Sequence, residues 1–249
     1  MNQIINNEKI ARKKSKIIPR LIIISGVIVF IVLLSILVFN FVIKNSEHKV
    51  SITDLQKHWN AYDYESVYNL SNDILIENPF NNTALTYHGY SAFYLAVSQI
   101  DTALSQSYLD EAINNMRNAL LNAKHSLIPQ LEYMLGKAYF YKNTITSYYY
   151  ADLAVKYLVS ARKHGYKADD IPEYLGLSYA ALGQTMESIS AFTEALLIRE
   201  SDTLLLSIAE QYYKIQQPSA AKQYLFRIIQ NSENDELIIK SRNLLANIY

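Results

Sequence analysis

Two hydropathy patterns divide the chain. Residues 21–43, Leu21 through Ile43, carry no charged side chain, and as a helix they extend roughly 34 Å at about 1.5 Å per residue, enough to cross a bilayer. From residue 51 onward apolar residues instead recur three and four apart, the period of amphipathic helices. Ile52, Leu55, Trp59 and Tyr62 mark a first helix, and Tyr64, Val67, Ser71 and Ile74 mark a second that stops at Asn78-Pro79. Leu85, Gly89 and Ala92, then Ala112, Met116 and Ala119, outline a second pair. The stretch Glu236 to Tyr249 reads as one amphipathic helix, with Ile238, Leu245 and Tyr249 among its apolar positions.

Three segments then repeat one template: Leu135-Gly136-Lys137-Ala138-Tyr139, Leu175-Gly176-Leu177-Ser178-Tyr179 and Ile208-Ala209-Glu210-Gln211-Tyr212. The small residue at the second place lets another helix come close. A second small-residue pattern follows about a dozen positions later: Ser188, Phe192 and Ala195 after Gly176, and Ala221, Leu225 and Ile228 after Ala209. On these residues the chain resembles the tetratricopeptide-repeat family over about 51–249, most closely at Asp169 to Asp202 and least in the first helix pair. The resemblance implies an all-α solenoid of about five helix-turn-helix repeats plus a C-terminal capping helix, and the charge-free segment 21–43 places one transmembrane helix before it. Gly89 to Ala112 spans 23 residues and Gly136 to Ala154 spans 18, against 12 from Gly176 to Ser188. These insertions should lengthen the helices of the second and third repeats or enlarge their turns. Gly183 and Gln217-Pro218-Ser219 fall at the turns of the fourth and fifth, where Pro can open a helix.

Charge orders the segments. The chain holds 23 basic and 23 acidic residues, but six basic and one acidic lie in the first twenty, leaving seventeen against twenty-two in the remainder. A basic tail (1–20), a signal-anchor helix (21–43), a linker (44–50) and the repeat domain (51–249) follow. The Lys/Arg excess before the span places the N-terminus in the cytoplasm and the repeats outside it, on the periplasmic or cell-surface side. Asn40-Phe41-Val42-Ile43-Lys44 offers no small-residue cleavage site, which favours an uncleaved anchor. The absence of Cys removes disulfides, thiolate metal sites, thiol nucleophiles and a lipidated N-terminus. A mildly acidic domain is a poor nucleic-acid binder. Abundant Ile, Asn and Tyr with little Gly or Pro point to an AT-rich, bacterial genome.

No catalytic or metal constellation emerges, and no cofactor motif. The histidines His48, His58, His88, His125 and His164 are scattered without a zinc spacing, which points to packing or surface roles. Phosphate loops and Gly-x-Ser-x-Gly elbows are absent. The face that the family uses for ligands is the inner surface of each first helix. Positions i, i+4, i+7 and i+8 select Thr86, Tyr90, Phe93 and Tyr94; Tyr133, Lys137, Phe140 and Tyr141; Glu173, Leu177, Ala180 and Ala181; and Leu206, Glu210, Tyr213 and Lys214. The aromatic members, with Lys137, form the candidate peptide-binding groove: Tyr90, Phe93, Tyr94, Tyr133, Lys137, Phe140, Tyr141 and Tyr213. With 21 Tyr in the chain, the same rings equally suit inter-repeat packing, as does Tyr148-Tyr149-Tyr150. Lys137 and Lys214 alone do not make the carboxylate clamp of chaperone-docking relatives. The expected function is a membrane-anchored adaptor that grips an envelope protein or secretory client. The alternative is a structural subunit of an envelope assembly, associating through its convex face or terminal cap.

Overall fold

The computed structural model describes residues 29–38, 51–146 and 149–248. The basic tail, the linker, Tyr148, Tyr249 and most of the expected span 21–43 lie outside the described residues. The chain divides into two units, Met1–Val50 and Ser51–Tyr249. In the first, residues 29–38 form a helix, α1, whose side chains are exposed, and Ser35 Oγ donates to Val32 O at 2.8 Å. Among the described residues no helix is long and apolar enough to cross a membrane.

The second unit is built of antiparallel helix pairs. They are α2 (Ile52–Asn60) with α3 (Tyr64–Glu77), α4 (Asn82–Ser98) with α5 (Thr102–Leu121), and α6 (Ile128–Ile145) with α7 (Ala151–Lys163). Then come α8 (Ile171–Ala181) with α9 (Thr185–Ile198), α10 (Asp202–Lys214) with α11 (Pro218–Asn231), and a last helix α12 (Asp235–Ala246). Local chemistry starts these helices. Ser51 and Asp54 close a capping box on α2, and Asp63, Asn81, Asp101, Ser201 and Asn234 accept first-turn N–H groups that no carbonyl could reach. Pro129, Pro172 and Pro218 stand in the first turns of α6, α8 and α11, where a missing N–H costs nothing.

Three of the turns inside repeats share one geometry. Tyr62, Gly183 and Gln216 have φ of 58°, 72° and 57°. The following residue donates its N–H to a carbonyl five positions back: Asp63 to His58 at 3.0 Å, Gln184 to Tyr179 at 2.9 Å, and Gln217 to Tyr212 at 3.0 Å. This is the left-handed helix stop that favours glycine. It also removes Tyr62 from the first helix, where its spacing had placed it: the left-handed residue reverses the chain and leaves the ring 77 % exposed.

The insertions lengthen helices. α8 and α9 have 11 and 14 residues, whereas α4 and α5 have 17 and 20. In the third repeat α6 grows to 18 residues while α7 keeps 13, so the remaining excess lies in the connection between them. The small residues mark the crossings. A Cβ added at Gly89, Gly136 or Gly176 would come within 2.6 Å of Met116, 2.6 Å of Leu158 or 2.5 Å of Phe192. Ser188 adds a buried hydrogen bond from its Oγ to Gly176 O, 2.8 Å, which explains a serine opposite the glycine. α12 packs on α10 and α11, and Leu237, Leu244 and Leu245 cover the buried Leu225 and Ile228. The first helices of successive pairs touch one another from α2 to α8, forming one continuous inner row.

Candidate interaction groove

Along that row, aromatic side chains from the first three pairs and α8 form an unbroken chain of ring contacts. Tyr64 stacks on Tyr94 at 4.3 Å, Tyr94 meets Phe93 edge-on at 5.4 Å, and Phe93 meets Tyr141 at 5.7 Å. Phe140 and Tyr141 then contact Tyr174 at 4.9 and 6.2 Å, and the hydroxyls of Tyr141 and Tyr174 lie 3.3 Å apart. Trp59 anchors the other end, within 5.9 Å of Tyr64, Tyr87, Tyr90 and Tyr94.

One cation sits inside this wall. Lys137 Nζ lies 5.2 Å from the Tyr133 ring centroid, 5.0 Å from that of Tyr174 and 6.0 Å from that of Phe93. It donates to Asp170 Oδ2 at 3.1 Å and to Tyr133 OH at 3.2 Å, while Tyr133 OH donates to the Asp170 carboxylate at 2.8 Å. Cation–π attraction and the ion pair thus fix Lys137 as a bridge from α6 to the start of α8. Burial, reinforced by the Asp170 hydrogen bond, pushes the Tyr133 phenol up. Burial also raises Tyr90 and Tyr94, and burial with the Tyr141 hydrogen bond raises Tyr174. These phenols are neutral hydrogen-bonding groups near neutral pH, not bases.

The eight candidate residues do not share one fate. Tyr90, Phe93 and Tyr133 are 4 %, 2 % and 9 % exposed and pack within the solenoid. Tyr94, Lys137, Phe140 and Tyr141 are half-buried at the groove surface. Tyr213 stands apart, 40 % exposed, beside a depression lined with Lys214, Pro218 and Ile248. In the fourth pair the chosen positions present Leu177, Ala180 and Ala181, so the aromatic lining ends at Tyr174. Sequence reasoning missed Trp59, Tyr64, Asp170, Tyr174 and Tyr166, which stacks on Tyr133 at 4.7 Å. A signal existed for one of them: Tyr stands two places before the small residue at both Tyr87 and Tyr174, and both rings join the wall.

A second polar constellation lies between α3, α4 and α5. Ser71 Oγ is 2.9 Å from His88 Nδ1, His88 Nε2 is 2.8 Å from Glu111 Oε1, and Tyr68 OH donates to Glu111 Oε2 at 2.7 Å. The residue types are those of a hydrolytic triad. The geometry is not: Ser71 is fully buried, His88 is 2 % exposed, and Ser71 Oγ donates to Tyr68 O at 2.9 Å, so no substrate reaches the hydroxyl. The network ties helices together. His58 with Asp63 (2.9 Å) and His164 with Glu132 (2.7 Å) do the same in the first and third pairs. The Ser66 and His58 hydrogen bonds hold Asp63 down to about 2. Among the described residues no cluster of three His, Asp or Glu could hold a metal ion.

No family model matches the chain, and no curated protein matches it. Solved structures do. YrrB, described as a TPR protein with an unusual peptide-binding site, matches at a TM-score of 0.59 and 15% identity over 82% of this chain and 97% of its own. The fold is a tetratricopeptide-repeat solenoid. Structures of MamA match similarly, one from MSR-1 at a TM-score of 0.59 and 18% identity over 78% of this chain and 98% of its own, another at 0.53 and 18% over 79% and 98%. At such identities the likeness extends to the fold and no further, so the solenoid's use has to be argued from its own side chains.

Proposed function

We propose that this chain is a membrane-anchored tetratricopeptide-repeat scaffold that holds an envelope protein or secretory client, in extended or helical form, along its inner aromatic groove. The observation that carries the reading is the run of half-buried Tyr94, Phe140, Tyr141 and Tyr174 on the inner row. Rigid rings with hydroxyls supply contact area at low rotamer cost and a donor for a passing backbone. The peptide-binding site described for YrrB is consistent with such a use of the fold. The charge-free segment 21–43 behind a basic tail supports an N-in anchor that puts the repeats on the extracytoplasmic side. Tethering then raises the effective concentration of any partner confined to that surface.

Burial decides which residues test this. Replacing Tyr90, Phe93 or Tyr133 would injure the solenoid itself, whereas Tyr94→Ala, Tyr141→Ala and Tyr174→Ala trim the surface. A photo-crosslinking residue at 94 or 141 should capture one defined envelope protein from intact cells, with a control at the exposed Glu187 on α9 capturing none. Capture at position 187 equal to that at 94 or 141 would overturn the groove and favour the assembly-subunit reading, for which the exposed Phe226 and Ile239 of the last two helices are the natural contacts. Protease added outside cells whose outer layers are opened should remove the repeats. Protection of the repeats would overturn the topology.

A further inference from the structure

Beside the groove, between α2, the start of α4 and the connection from α5 to α6, lies a recess of about 440 Å³. That volume falls in the range of small-ligand sites, about 300–1,000 Å³. One wall is aromatic. Tyr87 meets Trp59 edge-to-face at 5.7 Å and 71°, and Tyr90 meets it tilted at 5.8 Å and 43°, so the rings form an angular corner and not a closed stack. The other walls carry side-chain amides, Asn82, Asn122 and Gln130, and hydroxyls such as Thr83. Lys124, at an exposed position, is the one charged residue of the lining, and no carboxylate contributes to it.

Two polar atoms of residues in this lining, both behind its surface, have no hydrogen-bond partner. Asn82 Oδ1 and the Tyr90 hydroxyl are shielded from solvent and unbonded, although Asn82 Nδ2 is committed to Asn122 O at 3.1 Å and Thr86 Oγ1 to Asn82 O at 2.8 Å. A buried unsatisfied polar group costs about 1–3 kcal/mol, and such groups in native folds call for an explanation. Neither atom is open to a water-sized molecule as the walls stand, so a ligand meets them only if the Asn82 or Tyr90 side chain turns; the amides of Asn122 and Gln130 and the hydroxyl of Thr83 are the polar groups that line the recess itself. An apolar side chain would strip water from those groups and return no hydrogen bond. A charged one would lose its hydration with no countercharge facing it, except an anion reaching Lys124 at the rim. We propose that the recess binds a neutral saccharide. Sugar hydroxyls and acetamido groups both donate and accept, which matches side-chain amides and a phenol, while the C–H faces of a pyranose lie against aromatic faces, whose π-surface is the negative side of the ring. The recess adjoins the aromatic wall through Trp59 and Tyr87, but Thr83, Asn122 and Gln130 lie outside the Tyr94–Tyr141–Tyr174 surface, so substitutions there test it apart from the groove reading.

Trp59 is the chain's sole tryptophan, so its emission reports on this corner directly. The full chain in a zwitterionic, sugar-free detergent is titrated with chitotriose and cellotriose, and in parallel with dextran sulfate and a neutral capped hexapeptide. The expected result is a saturable emission change with at least one trisaccharide and none with dextran sulfate. It should be abolished by Thr83→Phe, which fills the recess, and weakened at least about tenfold, or about 1.4 kcal/mol, by Gln130→Ala, with helicity and melting of both variants checked by circular dichroism. If Thr83→Phe fails to fold, Gln130→Ala alone decides. No saturable response to either trisaccharide, saturation by the hexapeptide alone, or unchanged affinity in the folded variants would overturn the proposal.

Discussion

Substituting Gly176 by Ala sets two opposed effects against each other at the tightest helix crossing. In a helix interior alanine is favoured over glycine by about 1 kcal/mol. Against this, the new Cβ would stand 2.5, 2.6 and 2.8 Å from Phe192 Cδ1, Cε1 and Cγ, and Phe192 is 1 % exposed, so its ring has no solvent side to swing into. Overpacking of this kind costs about 1–3 kcal/mol. The net expectation is a loss of up to about 2 kcal/mol, or a melting temperature lower by up to about 8 °C for a domain of this length. Gly89→Ala makes the internal comparison. Its Cβ would meet Met116 Cγ at 2.6 Å, with backbone at 3.1 Å (Met116 N) and 3.2 Å (Ala112 O); the unbranched thioether can bend away and the backbone need give only slightly, so the loss should be smaller but not absent. Urea denaturation followed by circular dichroism, with the slope checked for constancy, measures both. Phe192→Leu added to Gly176→Ala should recover part of the loss, giving a coupling that distant pairs lack. A Gly176→Ala variant more stable than the parent by about 1 kcal/mol, the helix-propensity gain alone, or a double variant showing no coupling, would refute the claim that this glycine exists to let α8 and α9 touch.

Other expectations follow from single contacts. Gln216→Gly should raise stability by up to about 1 kcal/mol, because a non-glycine residue in the left-handed region is strained, while Gly183→Ala should lower it; thermal melts compare the two. The His88 hydrogen bond, opposed by burial and aided by Tyr68, holds Glu111 below the usual glutamate range. The depressed value means that this contribution is complete above the unfolded-chain pKa and disappears as pH falls through the folded one. Denaturation midpoints measured down an acid series should therefore fall less steeply for Glu111→Gln than for the parent. Asp170→Asn should destabilise more than Lys137→Met, since the first strands a cation whose side chain is 15 % exposed and the second replaces it with a neutral chain of similar reach; chemical denaturation of the pair checks the order.

What could be read without coordinates was whatever the chain encodes locally. Gly136, Gly176 and Ala209 announce close helix crossings because a missing side chain is itself the signal, and the second small-residue pattern places the partner helix. The inner surface resisted the same reading for a physical reason. A tyrosine on a first helix is drawn either into the seam with the next repeat or onto the surface, and a few degrees of helix rotation decide between the two. Tyr90 and Tyr94 share the same helical stripe, yet one is 4 % exposed and the other half-buried. Asp170 was invisible because it belongs to the connection before α8 and matters only once Tyr133 and Lys137 of α6 converge on it. The Ser71–His88–Glu111 network shows the converse. Its residues lie 17 and 23 positions apart, no motif joins them, and the solenoid alone brings them together. Burial then decides what they are for: the groups that would form a catalytic relay at a surface act here as a polar rivet, because repeats stacked on either side leave their hydroxyl no access to a substrate.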